Sequence, residues 1–167
     1  MQLHQPTGLP AAARLLIGRK RAVSGYSENA YNLDDLCNQL GDLGVETFGS
    51  GSYGIVVAHP DPNKAVKVSL SEDDPYRDYI ELAMEYQFAW MPVVYSVRHW
   101  RRGAFVVLME RLYEQYNRDW REDLEGAREW LADHRPRHAR CDLSGCNVMQ
   151  RLDGTLVVTD PWAHDEY

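Results

Sequence analysis

The spacing of apolar and polar positions changes near Val45, from a helical period to a strand period. Up to about residue 42 the sequence predicts a helical lead-in, in which Asn32 caps an apolar stripe that Gly41 ends. From Val45 onward, apolar residues alternate with polar ones or run in short blocks, which is typical of strands. The predicted strands cover residues 45–47, 53–58, 65–70, 93–97 and 104–109.

Two amphipathic helices are predicted after the third of these strands. Asp74 and Pro75 open the first helix, because proline fits the first helical turn, and Pro92 ends it. The second covers residues 113–133 on a stripe of Tyr, Trp, Leu and Ala side chains, and Pro136 ends it.

The last predicted element is a hairpin. Residues 147–150 and 156–159 flank Asp153-Gly154, which is a strong turn signal between strands. Together the elements predict an α+β fold, with an antiparallel sheet and one helix followed by a short, mostly helical C-terminal part. The predicted domains are a lead-in at 1–42, a sheet-bearing lobe at 43–112 and a truncated C-terminal lobe at 113–167.

Length, composition and charge narrow the class of protein. The 167 residues suffice for one domain with a core, and 44% hydrophobic with 26% charged residues is ordinary for a globular protein. The net charge of −7 argues against direct nucleic-acid binding, although a surface that mimics nucleic acid stays open.

Cysteine usage and hydropathy indicate a compartment. Three cysteines with no framework spacing favour a reducing, cytoplasmic setting. The sequence has no apolar run long enough to cross a membrane, so no membrane partner is expected.

A glycine-rich segment stands between the first two predicted strands. Gly49, Gly51, Gly54 and Val56 fit the pattern G-x-G-x-x-G-x-V, with Ser50 and Ser52 between the glycines. Glycines allow the backbone amides to approach phosphate oxygens without a Cβ in the way. A plain glycine-rich hairpin turn is the alternative interpretation.

Lys67 lies inside an apolar strand, where a cation is unusual unless it has an anionic partner. Bound phosphates and a helix carboxylate would provide that partner. Glu81 and Glu85, one turn apart on the predicted helix that Pro75 opens, are both candidates, and Glu81 is the preferred one. An outward-facing lysine on an edge strand is the alternative.

Asp142, Asn147 and Asp160 form the third candidate group. Phosphoryl transfer to a hydroxyl needs an acceptor for the departing proton and oxygen ligands for metal ions. Asp142 fits the first role, and Asn147 and Asp160 fit the second, because the predicted hairpin returns Asp160 towards Asn147. Turn and strand-end roles are the alternatives for the two aspartates. The set therefore predicts ATP and Mg²⁺ as cofactors.

Three other sets of residues have candidate roles. Glu110 lies in the segment after the last upstream strand, where a linker would offer backbone groups to an adenine. His134, His138, Cys141 and Cys146 include zinc-ligand types, but their spacing matches no standard zinc motif. A Cys–His nucleophile pair lacks an evident orienting group.

These motifs resemble the protein kinase family. The segments around Gly49–Val56, Lys67, Asp142–Asn147 and Asp160 resemble the eukaryotic-type kinase fold in its minimal form. Residues 48–53, 66–68, 141–149 and 159–161 resemble, more narrowly, the early serine/threonine kinases of short-tailed, self-transcribing lytic bacteriophages.

The resemblance implies roles for single residues and a biology. Lys67 would hold the α- and β-phosphates, Asp142 would orient the acceptor hydroxyl, and Asn147 with Asp160 would bind Mg²⁺. The implied function is phosphorylation of the chain itself or of host bacterial proteins, with shutoff of host transcription, in the cytoplasm of an infected cell.

The sequence departs from the family in three respects. Arg140-Cys141 replaces the His-Arg pair before the catalytic aspartate, and Ser144 replaces the lysine two residues after it. The chain ends at Tyr167, without an activation segment or an Ala-Pro-Glu motif. We therefore expect a complete nucleotide site and a mostly absent protein-substrate site.

Three functions follow from the sequence. The first is an active minimal serine/threonine kinase. The second is a kinase-like module that binds and inhibits a host protein such as RNA polymerase, and the third is a small-molecule phosphotransferase. The sequence does not distinguish a monomer from a homo-oligomer.

Overall fold

The computed structural model describes residues 37–165 with gaps at 39, 43, 52, 70–72, 100–104 and 117–118. The chain divides into two compact units, the first comprising Met1–Glu72 and Ser96–Leu108, and the second Asp73–Tyr95 and Met109–Tyr167. Most of the predicted lead-in lies outside the described residues. Residues 37, 38 and 40–42 are helical, so a helix is present where the apolar stripe predicts it, but Gly41 does not end it, because Gly41 and Asp42 are helical. The left-handed Gly44, with φ of 72°, follows the helix, and its amide donates to the Gly41 carbonyl.

A five-stranded sheet is the main element of the first unit, which holds its first three strands and most of the other two. Its strand order is β1-β2-β3-β5-β4, and β1, β2 and β3 pair antiparallel as consecutive hairpins. The strands are β1 (Thr47–Gly51), β2 (Gly54–Ala58), β3 (Lys64–Ser69), β4 (Val94–His99) and β5 (Phe105–Glu110).

One face of this sheet forms the core of the first unit. Ile55 pairs with Val68 and Val57 with Val66, so alternation places all four apolar side chains on the same face. They are buried together with Leu40 from the preceding helical segment. The period-two pattern that predicted these strands is therefore the pattern of their burial.

The second unit contains the longest helix of the described residues and several short helices and strands. Its helices are α1 (Asp74–Tyr86), α2 (Trp120–Asp123) and α3 (Glu125–Asp133), with a 3-10 turn at Gly145–Asn147. A three-stranded sheet has the order β6-β8-β9, and β7 pairs with β10. The strands are β6 (Tyr113–Glu114), β7 (Ala139–Cys141), β8 (Val148–Gln150), β9 (Leu156–Val158) and β10 (Trp162–His164).

Helix α1 begins as predicted and ends earlier than predicted. Pro75 stands in its first turn, where the missing amide hydrogen costs no helical hydrogen bond. The helix ends at Tyr86 because Gln87 takes a left-handed conformation, with φ of 52°, and its amide donates to the Ala83 carbonyl. Pro92 is therefore not the residue that ends it.

The prediction of a single long helix over residues 113–133 is wrong for the first half of that range. Tyr113 and Glu114 are a strand, with Tyr113 opposite Gln150 of β8, and Tyr116 is 82% exposed. Among the described residues of this stretch, the first helical one is Trp120. Pairing with a strand distant in sequence has overridden a helical pattern of aromatic residues.

The fold class is α+β, with the predicted antiparallel sheet. The hairpin predicted from Asp153-Gly154 is present as β8 and β9, with Met149 opposite Val157. Residues 113–165 contain more strand than the predicted mostly helical part, since β6, β7 and β10 were not expected. No helix in the described part of the chain is both long and apolar enough to cross a membrane.

Candidate functional site

Gly49, Val56 and Lys67 lie in one row across the first three strands. Val56 is opposite Gly49 on one side and opposite Lys67 on the other. Residues opposite each other share a face of the sheet, so Lys67 and Val56 point away from the face that holds the buried valines. The lysine is half-buried between the buried neighbours Val66 and Val68. The first unit thus aligns the glycine-rich hairpin with the predicted phosphate-binding lysine.

The glycines of the motif differ in how much space a side chain would have at each position. A Cβ on Gly54 would lie 2.7 Å from the Val68 carbonyl oxygen, so β2 and β3 can approach only with glycine there. A Cβ on Gly49 or Gly51 would meet nothing within 4 Å. Gly54 is therefore required by strand packing, whereas the space beside Gly49 and Gly51 is open on the protein side.

The second unit brings Asp142 next to the segment that contains Asp160. Strand β7 pairs with β10, with Cys141 opposite Trp162. The Asp142 amide donates to the Pro161 carbonyl at 2.8 Å. Because Pro161 directly follows Asp160, the two predicted aspartates lie on neighbouring backbone segments.

Asn147 is held between the same two segments. Its side-chain Nδ2 donates to the Asp142 carbonyl at 2.7 Å and lies 3.3 Å from the Asp142 carboxylate. Its own carbonyl accepts from the Thr159 amide at 2.8 Å and from the Thr159 hydroxyl at 3.1 Å. Both side-chain contacts with Asp142 use Nδ2, so neither of them uses the amide oxygen Oδ1. The structure thus brings Asp142, Asn147 and the residue before Asp160 together.

Helix α1 supports the strand that leads to Asp160. The Tyr79 hydroxyl donates to the Val158 carbonyl at 2.7 Å, and the Val158 amide donates to the Trp90 carbonyl at 2.9 Å. Burial is the main cause that raises the pKa of Tyr79 well above its ordinary value, and the negative charge of Asp160 raises it further. The same two causes come first for the raised pKa of Tyr76. Asp160 therefore lies near two buried phenols.

The residues around this loop fit a magnesium ion. Asn147 Oδ1 and the Asp160 carboxylate are hard oxygen ligands, the type that Mg²⁺ prefers. Within the described residues, no three His, Cys, Asp or Glu side chains are placed to hold a metal ion by themselves. Two protein ligands are enough for Mg²⁺ that binds with a nucleotide, because phosphate oxygens and waters complete its shell.

Comparison with known proteins finds similarity to solved structures only. Neither a family model nor a curated protein sequence matches the chain. The chain is similar to a chain in the structure of the CAK complex from Chaetomium thermophilum bound to ATP-γ-S, at 16% identity and a TM-score of 0.49. The aligned region covers 80% of this chain and 52% of the other, so this chain spans about half the length of that one.

The remaining predicted nucleotide contacts are distributed over both units. Ser50 is exposed in β1, and Ser52 lies outside the described residues. Glu81 and Glu85 are both exposed on α1 in the second unit, whereas Lys67 belongs to the first. The choice of carboxylate for Lys67 stays a prediction.

The carboxylate of Glu110 has a partner that the sequence did not suggest. It accepts from Arg151 through both oxygens, at 2.8 Å from Nε and 2.7 Å from a terminal nitrogen. It also accepts from the Val93 amide at 2.8 Å, while the Glu110 amide donates to the Val93 carbonyl. Arg151 was missed because an arginine beside a turn looks like a surface residue. The Glu110 side chain thus has a structural role beside the predicted backbone contact to adenine.

The His and Cys residues of zinc-ligand type make other contacts. His134 stacks on Trp130 with ring centroids 3.7 Å apart, and His138 lies 3.6 Å from the Asp78 carboxylate. The Cys146 sulfur lies 2.9 Å from the Ser144 hydroxyl. In the described part of the chain these side chains therefore form no metal-binding group.

Proposed function

We propose that this chain is an ATP-dependent serine/threonine protein kinase that transfers the γ-phosphoryl group to a hydroxyl of itself or of another protein. The observation that carries the proposal is the hydrogen-bonded loop from Asp142 to Asn147, joined through Pro161 and Thr159 to both sides of Asp160. A proton acceptor and two oxygen ligands on adjoining segments are what phosphoryl transfer requires.

The proposed roles are assigned within each unit separately. In the first unit, the glycine-rich hairpin and Lys67 bind the phosphates. In the second, Asp142 accepts the proton of the attacking hydroxyl, while Asn147 Oδ1 and the Asp160 carboxylate hold Mg²⁺, which neutralises charge on the phosphates. A bond forms between the acceptor oxygen and the γ-phosphorus, the bond to the β-phosphate oxygen breaks, and ADP leaves.

The acceptor proteins and the cell compartment are proposed from the sequence resemblance alone. The resemblance of residues 48–53, 141–149 and 159–161 to phage kinases supports bacterial host proteins as acceptors, in the cytoplasm of an infected cell. Shutoff of host transcription would then follow from modification of a host protein.

A kinase-like binding module is the second candidate, and one observation favours it. The loop from Asp142 to Asn147 contains no lysine or arginine, and the Ser144 hydroxyl is engaged with Cys146. The loop therefore provides no cation for the γ-phosphate. Such a module would bind and inhibit a host protein, and it would do so equally well without transfer activity.

The test is an assay with γ-labelled ATP and Mg²⁺, with and without bacterial lysate, comparing the parent with Asp142→Asn. This variant keeps the side-chain size but removes the proton acceptor, so we expect label transfer to fall by about 10² to 10⁴. Asp153→Asn is the matched control, because that exposed aspartate lies in the hairpin turn. Equal transfer by all three proteins would contradict the proposed role of Asp142.

No transfer by any of them would favour the binding module. Capture of the same host protein by the parent and by Asp142→Asn, without label, would then establish that second function.

A further inference from the structure

Five rings form an aromatic cluster in the second unit, apart from the loop that holds Asp142 and Asn147. Phe88 stacks between Tyr86 and Trp90, with centroids 5.6 and 5.4 Å away. Trp130 of α3 meets all three rings edge-on at 5.1 to 5.6 Å. His134 lies flat against Trp130. The end of α1, the loop after it and α3 are thus joined by ring contacts.

This aromatic cluster is at the surface. Tyr86 is 41% exposed and Phe88 37%. Trp90 and Trp130 are half-buried. Large apolar side chains that adjoin at the surface commonly mark a binding face, whereas single exposed ones do not.

The charges beside the aromatic cluster are mostly negative. Residues 82–90 and 129–134 contain three carboxylates, no lysine and no arginine. These are Glu85, Glu129 and Asp133, all exposed, and none forms an ion pair with a described residue. Three arginines lie close to these stretches. Arg151 donates to the Ala89 carbonyl but is paired with the Glu110 carboxylate, and Arg135 donates to the Ala139 carbonyl. Arg128 is exposed on α3, so the three carboxylates outnumber the one arginine without such a contact. A cationic partner therefore complements this face.

We propose that the aromatic cluster binds an arginine-containing segment of a partner protein. A guanidinium is planar and weakly hydrated, so it stacks on Tyr and Trp faces while its N–H groups pair with carboxylates. A lysine ammonium lacks the plane and binds less well to such a face. The proposal does not depend on phosphoryl transfer.

The test uses three short peptides that alternate alanine with arginine, lysine or glutamate, titrated against the intact protein and followed by tryptophan fluorescence. We expect the arginine peptide to bind several-fold more tightly than the lysine peptide, and the glutamate peptide not to bind. Equal binding of the arginine and lysine peptides would overturn the proposal, because charge alone would then explain the attraction.

Two variants test the surface itself. Phe88→Ala is expected to weaken arginine-peptide binding by about fivefold, as loss of one ring contact implies. The double variant Glu129→Gln with Asp133→Asn is expected to weaken arginine-peptide binding to a similar extent. Because this variant leaves the rings intact, it tests the surface even if Phe88→Ala does not fold. Tyr116→Ala is the control, since Tyr116 is 82% exposed and is not part of the cluster.

Unchanged binding in both variants would contradict the proposal. A second result would also contradict it: the parent forms a dimer at high concentration, Phe88→Ala abolishes that dimer, and the arginine peptide does not affect it. The aromatic cluster would then join two copies of this chain. Asp142→Asn is expected to bind the peptide as the parent does, so failure of the kinase proposal and failure of this one can be told apart.

Discussion

Two glycines of one motif are glycine for different physical reasons. At Gly54 a methyl group would press on the Val68 carbonyl, whereas at Gly51 it would meet nothing within 4 Å. We expect Gly54→Ala to lower the free energy of unfolding by about 1–3 kcal/mol, because β2 and β3 must separate. We expect Gly51→Ala to change it by less than about 0.5 kcal/mol and to weaken ATP binding.

Urea unfolding and ATP titration of both variants measure these effects. Equal loss of stability in the two variants would contradict the assignment of Gly54 to packing. Unchanged ATP binding by Gly51→Ala would remove Gly51 from the proposed phosphate site.

Asn147 depends on its amide nitrogen as well as its oxygen. In Asn147→Asp the donor to the Asp142 carbonyl is lost, and a second carboxylate faces Asp142 about where Nδ2 now lies. We expect a loss of about 1–3 kcal/mol in the free energy of unfolding, because an acceptor loses its donor, and a marked fall in label transfer. Denaturation and transfer assays beside Asp153→Asn check both, and a fully active, equally stable Asn147→Asp would contradict this account of the loop.

Arg151 and Glu110 link β5, the segment around Val93 and the end of β8. Their side chains are only 21% and 13% exposed, and Arg151 also donates to the Met91 carbonyl. We expect Arg151→Ala to lower the free energy of unfolding by about 2–3 kcal/mol, because it leaves the Glu110 carboxylate poorly paired. The exposed Arg137→Ala is the control, with an expected change within about 0.5 kcal/mol.

Adding Glu110→Ala to Arg151→Ala completes a double-mutant cycle. We expect the double variant to lose less stability than the two single losses added together, since each single change leaves the other charge unpaired. Strict additivity in thermal or urea unfolding would show that the ion pair does not couple these elements.

The elements that the sequence predicted are those whose signals are local. The hairpin of β8 and β9 follows from Asp153-Gly154 and the apolar residues beside it, and Pro75 marks the start of α1. Strand β6 could not be predicted, because its partner residue Gln150 lies far along the chain from Tyr113. Strands β7 and β10 have three residues each, too few to show a period.

The same distinction applies to the candidate site. The proximity of Asp142, Asn147 and Asp160 could be predicted because one hairpin connects the last two. The bonds that fix this arrangement, from Tyr79 to Val158 and from Asp142 to Pro161, could not, because nothing in the sequence near either partner indicates them.

At the scale of the whole molecule, two buried tyrosines predict instability in alkali. Burial first, and Asp160 next, raise the pKa of Tyr76 and Tyr79 in the folded protein. Above about pH 10 the unfolded chain loses these protons while the folded protein keeps them, so unfolding becomes easier as pH rises. We expect the free energy of unfolding to fall by up to about 1.4 kcal/mol per pH unit for each tyrosine.

Urea unfolding between about pH 8 and 11 measures this decline. Tyr79→Phe is expected to fall less steeply in alkali, although loss of the bond to Val158 lowers its stability near neutral pH by about 1 kcal/mol. A parent protein whose stability is constant across this range would contradict the burial of both phenols.

The most direct test of the central claim is transfer of label from γ-labelled ATP in the presence of Mg²⁺ by the parent and by Asp160→Ala. A kinase in which the Asp160 carboxylate holds Mg²⁺ predicts label on protein with the parent and loss of nearly all of it with the variant, while circular dichroism shows both folded. Equal labelling by the two folded proteins would contradict the proposed metal site.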